Sequence, residues 1–377
     1  MKIIVAPDSF KGTLRATQVC DLWKQALRRH LPAAEIVCIP MSDGGEGALE
    51  AATATQGAEL RKIQTSDALG RTITAHFALL EGGSAAFVET AQACGLELLT
   101  LDERDALHAT SYGAGQLIAE ALRAGARHLY VGIGGSAMVD GGAGLLEALG
   151  ARFLKADGTP IARGGIGLLD LTAIDVSGLM PELRESAIEV ASDVTNPLTG
   201  PLGAATVFGP QKGASPEQVT ILEAALDHYG KCAVQSGLVD RYNEPGDGAA
   251  GGLGFALRGF LHAKIRSGAK LIAHMAHLPE QLSGAHLLIT GEGRSDAQTL
   301  GGKLPAVLAE LAAESGVPAL LCSGAVEDCE QLRGKFMAVF STLHSVQPLP
   351  KVLAAAEHNL AITADAIAAL LAIKGGK

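Results

Sequence analysis

No Cys-x-x-Cys pair occurs in the sequence, and its six cysteines (Cys20, Cys38, Cys94, Cys232, Cys322, Cys329) are scattered. That spacing excludes zinc ribbons and disulfide frameworks, and it fits thiols kept reduced in a cytosol. His274 and His277 stand apart from any other ligand cluster, so a core or surface role is expected for them rather than metal binding. Lysine and arginine form no run or stripe, and 30 basic against 40 acidic residues leave a net charge of −10. Nucleic acid is therefore not an expected partner. Asp8 and Lys11 interrupt the apolar start too early for a signal peptide, and no apolar run reads as long enough to span a bilayer. A cytoplasmic protein without a membrane partner is expected. Aromatic residues are sparse at 4%.

Hydrophobic residues, by contrast, reach 48%, and 47 glycines serve tight turns or close approaches. A length of 377 residues suggests two or three domains. Strand and helix patterns alternate at the start: KIIVA (2–6), a helix over 17–31, EIVCIP (35–40) and a helix over 48–56. The end repeats the style with HLLIT (286–290), a helix over 305–315, ALLCS (319–323), MAVFST (337–342) and one long helix from Lys351 to Ile373. Between them, RTITAHFALLEGGSAAFVET reads as a hairpin turning at Glu81-Gly82-Gly83. A helix from Tyr112 to Ala124, the strand HLYVGI, and a helix to about Gln235 opened by a capping box at Ser215 follow. The economical layout is a doubly wound parallel α/β domain made of residues 1–63 and 284–377, with a second α/β domain, 64–283, inserted into it.

Ligands of open parallel sheets bind beyond the carboxyl ends of the strands, near the point where strand order reverses. The first strand runs into Asp8, Ser9, Lys11 and Gly12. The second runs into Ser42-Asp43-Gly44-Gly45-Glu46-Gly47. HLLIT runs into Gly291-Glu292-Gly293-Arg294-Ser295-Asp296, then Gln298, Thr299 and Lys303. Blander roles exist for each group. Asp43 and Glu46 suit a capping box for the following helix, Lys11 a solvated turn, and Arg294 with Asp296 a local ion pair. Lys303, a cation at a helix start, opposes the macrodipole, which favours a ligand-facing role. The inserted segment adds the Gly134-Gly135-Ser136 loop and a cluster holding Asp193, Asn196, Gln211 and Lys212.

Gly132-Ile133-Gly134-Gly135-Ser136-Ala137 satisfies the dinucleotide pattern G-x-G-x-x-A, so an NAD-dependent 2-hydroxy-acid dehydrogenase is the alternative to weigh. In a chain this rich in glycine the match is weak, and Asp140-Gly141-Gly142 interrupts the helix the motif should open. Gly302-Lys303 is followed by Leu304, which excludes a Walker A loop.

APDSFKG, SDGGEG, GIGGSAMVDGGAG, SDVTNPLTGPLGA, FGPQKG and TGEGRSDAQTLGGK, in that order, resemble the bacterial glycerate kinase family that phosphorylates the 2-hydroxyl, over nearly the whole chain. The resemblance implies a flavodoxin-like domain carrying an inserted α/β domain, with the active site in the interdomain cleft. It also implies conversion of D-glycerate ((R)-glycerate) and ATP to 2-phosphoglycerate and ADP with Mg²⁺, in glycolate, glucarate or galactarate catabolism. Within such a kinase, positioning and electrostatics do most of the work. On that basis Arg294 suits the substrate carboxylate, and Lys11, Lys303 and Lys212 suit phosphate oxygens. Ser9 and the Gly134-Gly135-Ser136 loop offer donors. Ser42, Asn196, Gln211, Gln298 and Thr299 are expected as further substrate or ATP contacts. Asp43, Glu46 and Asp193 suit Mg²⁺, and Asp296 or Asp8 the general base.

Overall fold

A computed structural model describes the chain except Asp43, Gly45, Glu46, Thr55, Gln56, Asp328 and residues 375–377, and for Cys329 and Lys374 it describes the backbone alone. Two compact units result: Met1–Asp43, Glu50–Thr55 and Ala269–Lys377 in the first, Gly44–Leu49 and Gln56–Gly268 in the second.

Five parallel strands form the sheet of the first unit, in the spatial order Ala338–Ser341, Ala319–Ser323, Leu287–Thr290, Lys2–Val5, Glu35–Cys38. Counted along the chain this is the order 2-1-3-4-5, the flavodoxin-like arrangement, with its reversal between Lys2–Val5 and Leu287–Thr290. Ile3, Ile4 and Val5 are wholly buried, as an inner strand of a sheet covered on both faces requires. The helix Ala16–His30 turns Val19, Cys20, Trp23, Ala26 and Leu27 inward at helical spacing. These pack in one core with Leu360, Ala364, Ile367 and Ala368 of the last helix, Ala356–Lys374. Arg29 and His30 bond Asp365 across that pair at 2.6 and 3.0 Å.

The expected single helix from Lys351 to Ile373 is two helices, Leu349–Ala354 and Ala356–Lys374, parted at Ala355. No glycine or proline marks that break. By length and mean hydropathy, 18 residues from Ala356 to Ile373 would suffice to cross a membrane, contrary to the reading of the apolar runs. In the fold, the Leu360–Ala364–Ile367–Ala368 face of this helix is part of the first unit's core.

The second unit holds a six-stranded sheet in the order Lys264–Arg266, Ala187–Ala191, His128–Gly132, Ala85–Glu89, Thr72–Leu80, Glu59–Ser66. Its first four strands are parallel and the last two antiparallel. The expected hairpin is present, and its turn strings together left-handed residues Glu81, Gly82 and Gly83 (φ 51°, 69° and 96°). Glu59–Ser66 begins inside the segment 1–63 that the sequence places in the first domain, yet it pairs along its whole length with Thr72–Leu80. This edge strand is mostly exposed and polar, so it lacks the apolar alternation that reveals a strand. Helix Tyr112–Arg123 buries Leu117, Ile118, Ala121 and Leu122. Pro216–Gln235 opens with the expected capping box, Gln218 N donating to Ser215 Oγ at 3.3 Å and Ser215 N to Gln218 Oε1 at 2.8 Å.

Candidate active site

Beyond the carboxyl ends of the three inner strands of the first unit, the backbones continue side by side. Asp8 N donates to Gly291 O at 2.9 Å, Gly324 N to Glu292 O at 3.0 Å, and Ala325 N to Gly293 O at 3.0 Å. Such close running is what the glycines provide: a Cβ on Gly291 would lie 1.8 Å from Cys322 O, and one on Gly324 2.4 Å from Gly293 O. The loop after the first strand is tight, with Phe10 N bonded to Leu14 O and Leu14 N to Phe10 O, while Gly12 takes φ 75°. Phe10 and Leu14 anchor it in the core, which leaves Lys11 exposed. Asp8 is buried and accepts Ser9 N at 2.7 Å. Ser9 Oγ is buried with no hydrogen-bond partner among the described residues. Ser42, also buried, follows the Glu35–Cys38 strand.

The segment after Leu287–Thr290 gathers most of the charge. Asp296, whose side chain is 20% exposed, lies between two cations: Arg294 Nε at 3.8 Å from Oδ2 and Lys303 Nζ at 3.9 Å from Oδ1. Its Oδ1 also accepts Gln298 N at 2.9 Å. Arg294 is 62% exposed and donates to Glu327 at 2.9 Å, so in this structure the guanidinium is shared by two carboxylates. Lys303 sits at the N-cap position of Leu304–Glu314. Thr299 is buried and Gln298 exposed. Asp8, Lys11, Arg294, Asp296, Thr299 and Lys303 thus share the carboxyl edge of one sheet.

One further carboxylate there takes its character from tertiary surroundings. Glu292 is buried and accepts Ser295 Oγ at 2.9 Å and Thr299 Oγ1 at 2.7 Å. Burial pushes its carboxyl above the ordinary range, against the pull of those two hydroxyls and of Lys303. The signal was an acid between two glycines directly after a strand.

In the second unit, Gly134-Gly135-Ser136 follows the His128–Gly132 strand but opens no helix. Ala137 N donates to Cys94 O at 2.8 Å and Leu96 N to Gly135 O at 2.8 Å, so the loop runs against residues 94–96. The next helix starts only at Ala143, after left-handed Gly141 and Gly142. This is not the strand–turn–helix geometry of a dinucleotide fingerprint. Asp140 organises the turn, accepting Ser111 N at 2.7 Å, Ser111 Oγ at 2.8 Å and Gly142 N at 3.0 Å.

Lys212 is buried, with Nζ donating to Ser136 Oγ at 2.9 Å and Met138 O at 2.8 Å. It therefore grips the glycine loop from within. Burial lowers its ammonium to about 8, with Cys94 and Asp140 acting the other way. An unfolded lysine stays protonated to about 10.5. Between those values the unfolded chain holds a proton that the folded chain has released, so stability rises with pH there. Urea unfolding should show a rise of order 1–3 kcal/mol between about pH 7 and about pH 9.5 that Lys212→Met abolishes. An equal rise in the variant would contradict this assignment.

The remaining residues of the second unit lie apart from that grip. Asn196 Nδ2 donates to Leu202 O at 2.8 Å and the Asn196 backbone carbonyl accepts Gly248 N at 2.9 Å, bracing its own loop. Gln211 is exposed, and its backbone carbonyl accepts Arg104 Nη1 at 2.9 Å. Asp193 stands exposed just past the Ala187–Ala191 strand. Asp43 and Glu46, the other expected Mg²⁺ ligands, lie outside the described residues. Among the described residues no three acidic, histidine or cysteine side chains cluster as a metal cage. Mg²⁺ carried on nucleotide phosphates needs only one or two protein carboxylates, and an exposed aspartate at a strand end fits that demand.

Comparison with known proteins agrees with the motif order. The profile described as the glycerate kinase family matches residues 3–372. Glycerate 2-kinase of Escherichia coli (strain K12) is 43% identical over 376 residues, 99% of this chain and 98% of that protein. Glycerate kinase of Haemophilus influenzae is 40% identical, covering 99% of this chain and 100% of that one. In structure, a Salmonella typhimurium LT2 protein assigned as glycerate kinase 2 superposes with a TM-score of 0.90 at 42% identity, over 100% of both chains. Similarity of this extent, sustained from end to end in sequence and in fold, makes the chain a member of the glycerate kinase family.

Proposed function

We propose that the protein transfers the γ-phosphoryl group of ATP to the 2-hydroxyl of D-glycerate, giving 2-phospho-D-glycerate and ADP. The observation that carries the reading is Asp296, a partly exposed carboxylate between a guanidinium and an ammonium at the carboxyl edge of a flavodoxin-like sheet. A carboxylate can take the proton of an attacking alcohol, a guanidinium can hold the substrate carboxylate in two parallel hydrogen bonds, and an ammonium can offset charge on the phosphoryl oxygens. Asp296 is assigned the proton, with Asp8 the second choice. Arg294 is assigned the glycerate carboxylate, exchanging its contact with Glu327 for one with substrate. Lys303 and Lys11 face the phosphoryl oxygens, and Ser9 Oγ, which lacks a partner among the described residues, is available to substrate oxygen. Lys212 acts through the Ser136 loop, whose N–H groups suit phosphate. Mg²⁺ bound to the nucleotide offsets phosphate charge, and Asp193, with Asp43 and Glu46, is proposed to hold it.

Release of ADP from ATP on addition of D-glycerate tests this reading, with NAD and glycerate as a parallel arm. The reading predicts ADP in the first arm and no NADH in the second; the reverse would install the dehydrogenase.

Arg294→Ala separates a substrate clamp from a surface ion pair. As a clamp, its loss should raise KM for glycerate about tenfold or more with a smaller change in kcat. A KM within about twofold of the parent would leave Arg294 only its exposed ion pairs with Glu327 and Asp296.

A further inference from the structure

We infer that Glu292 is a positioning residue for Asp296, acting through Thr299. The inference rests on Asp296 being the proton acceptor proposed above. Glu292 Oε1 receives both Ser295 Oγ and Thr299 Oγ1, at 2.9 and 2.7 Å. With its hydrogen spent on this carboxylate, Thr299 Oγ1 must accept in its other contact, and there it meets Asp296 N at 3.1 Å. Thr299 N returns to Asp296 O at 3.0 Å, closing the turn that carries the Asp296 side chain. Ser295 is held in the same sense: Glu292 N donates to Ser323 Oγ at 3.3 Å, which leaves the Ser323 hydrogen for Ser295 Oγ at 2.8 Å. Ser295, Thr299 and Ser323 are all wholly buried, so no water redirects these hydroxyls. One buried acceptor oxygen thus sets the direction of every hydroxyl beneath the Asp296 turn.

A positioning role predicts a particular pattern of loss. Glu292→Ala should lower kcat about tenfold or more while KM for both substrates stays within about threefold. Glu292→Gln keeps an oxygen able to accept from both hydroxyls and should recover kcat to within about threefold of the parent. In an Asp296→Asn background, Glu292→Ala should cost less than about twofold, because a displaced residue with no proton to take has nothing left to lose. Thr299→Val, which preserves shape, should repeat the kcat-selective loss even if Glu292→Ala folds poorly. A Gln variant as poor as the Ala variant, full additivity with Asp296→Asn, or a Thr299→Val enzyme with parental kcat would each overturn the inference. Amide hydrogen exchange over 292–303 supplies a readout independent of turnover, and both Thr299→Val and Glu292→Ala should speed it at Asp296. Unchanged protection in both would overturn the positioning claim. An inactive parent whose exchange still responds would instead overturn the proposed function.

Discussion

Asp296→Asn should bind D-glycerate with nearly parental affinity and lose kcat by roughly 10²- to 10⁴-fold. Asparagine keeps the size of the side chain and an oxygen for Gln298 N, the bond that shapes the turn at 2.9 Å. It cannot take a proton, and it no longer balances Arg294 and Lys303, which stand 3.8 and 3.9 Å away. The two losses have different kinetic signatures. Loss of the proton acceptor falls on kcat, whereas a slackened Arg294 would raise KM for glycerate and leave kcat nearly intact. Were the cluster merely a surface ion network, neither constant would move far, since water screens such exposed pairs. Steady-state kinetics with a melting curve decides among these outcomes. A kcat within about twofold of the parent would remove Asp296 from the proton path and transfer that role to Asp8, which is buried one strand away.

Gly291→Ala should be the most damaging small substitution in the first unit. A methyl group there would sit 1.8 Å from the Cys322 carbonyl oxygen, a backbone atom of the adjoining strand. Relief requires the Leu287–Thr290 and Ala319–Ser323 strands to part at their carboxyl ends, where the loops carrying Glu292 and Gly324 bond each other. Overpacking against backbone costs about 3 kcal/mol at the upper end of its usual range, and the melting temperature should fall by roughly 6 °C. Activity should fall further than stability, because Glu292, Arg294 and Asp296 all hang from this junction. Gly302→Ala makes a useful contrast: a Cβ there meets nothing within 4 Å, although its φ of 104° still disfavours a side chain. A Gly291→Ala protein that melts with the parent would show that the strand ends can separate freely.

Much of this was legible in the sequence because it lay in local patterns. Buried parallel strands announce themselves as short apolar runs, and Lys2–Val5, Leu287–Thr290 and Ala319–Ser323 fall where those runs end in glycine and charge. The capping box at Ser215 and the left-handed turn at Glu81–Gly83 are residue-type signals of the same kind. What escaped depends on tertiary surroundings. The Glu59–Ser66 strand is set by pairing with its neighbour rather than by its own polar sequence. Lys212 reads from the sequence as a cation for phosphate oxygens, yet packing around Ser136 and Met138 buries it. Glu292 was visible as a strand-end acid, but only the burial of Ser295, Thr299 and Ser323 shows that its oxygen directs their hydroxyls. The parting of the last two helices at Ala355 has no residue signal at all.

The central claim, phosphorylation at the 2-hydroxyl, is tested most directly by coupling the reaction to enolase with no phosphoglycerate mutase present. Enolase dehydrates 2-phosphoglycerate and leaves the 3-isomer untouched. With ATP, Mg²⁺ and D-glycerate, phosphoenolpyruvate should form in step with ADP. Consumption of ATP without phosphoenolpyruvate would contradict the account.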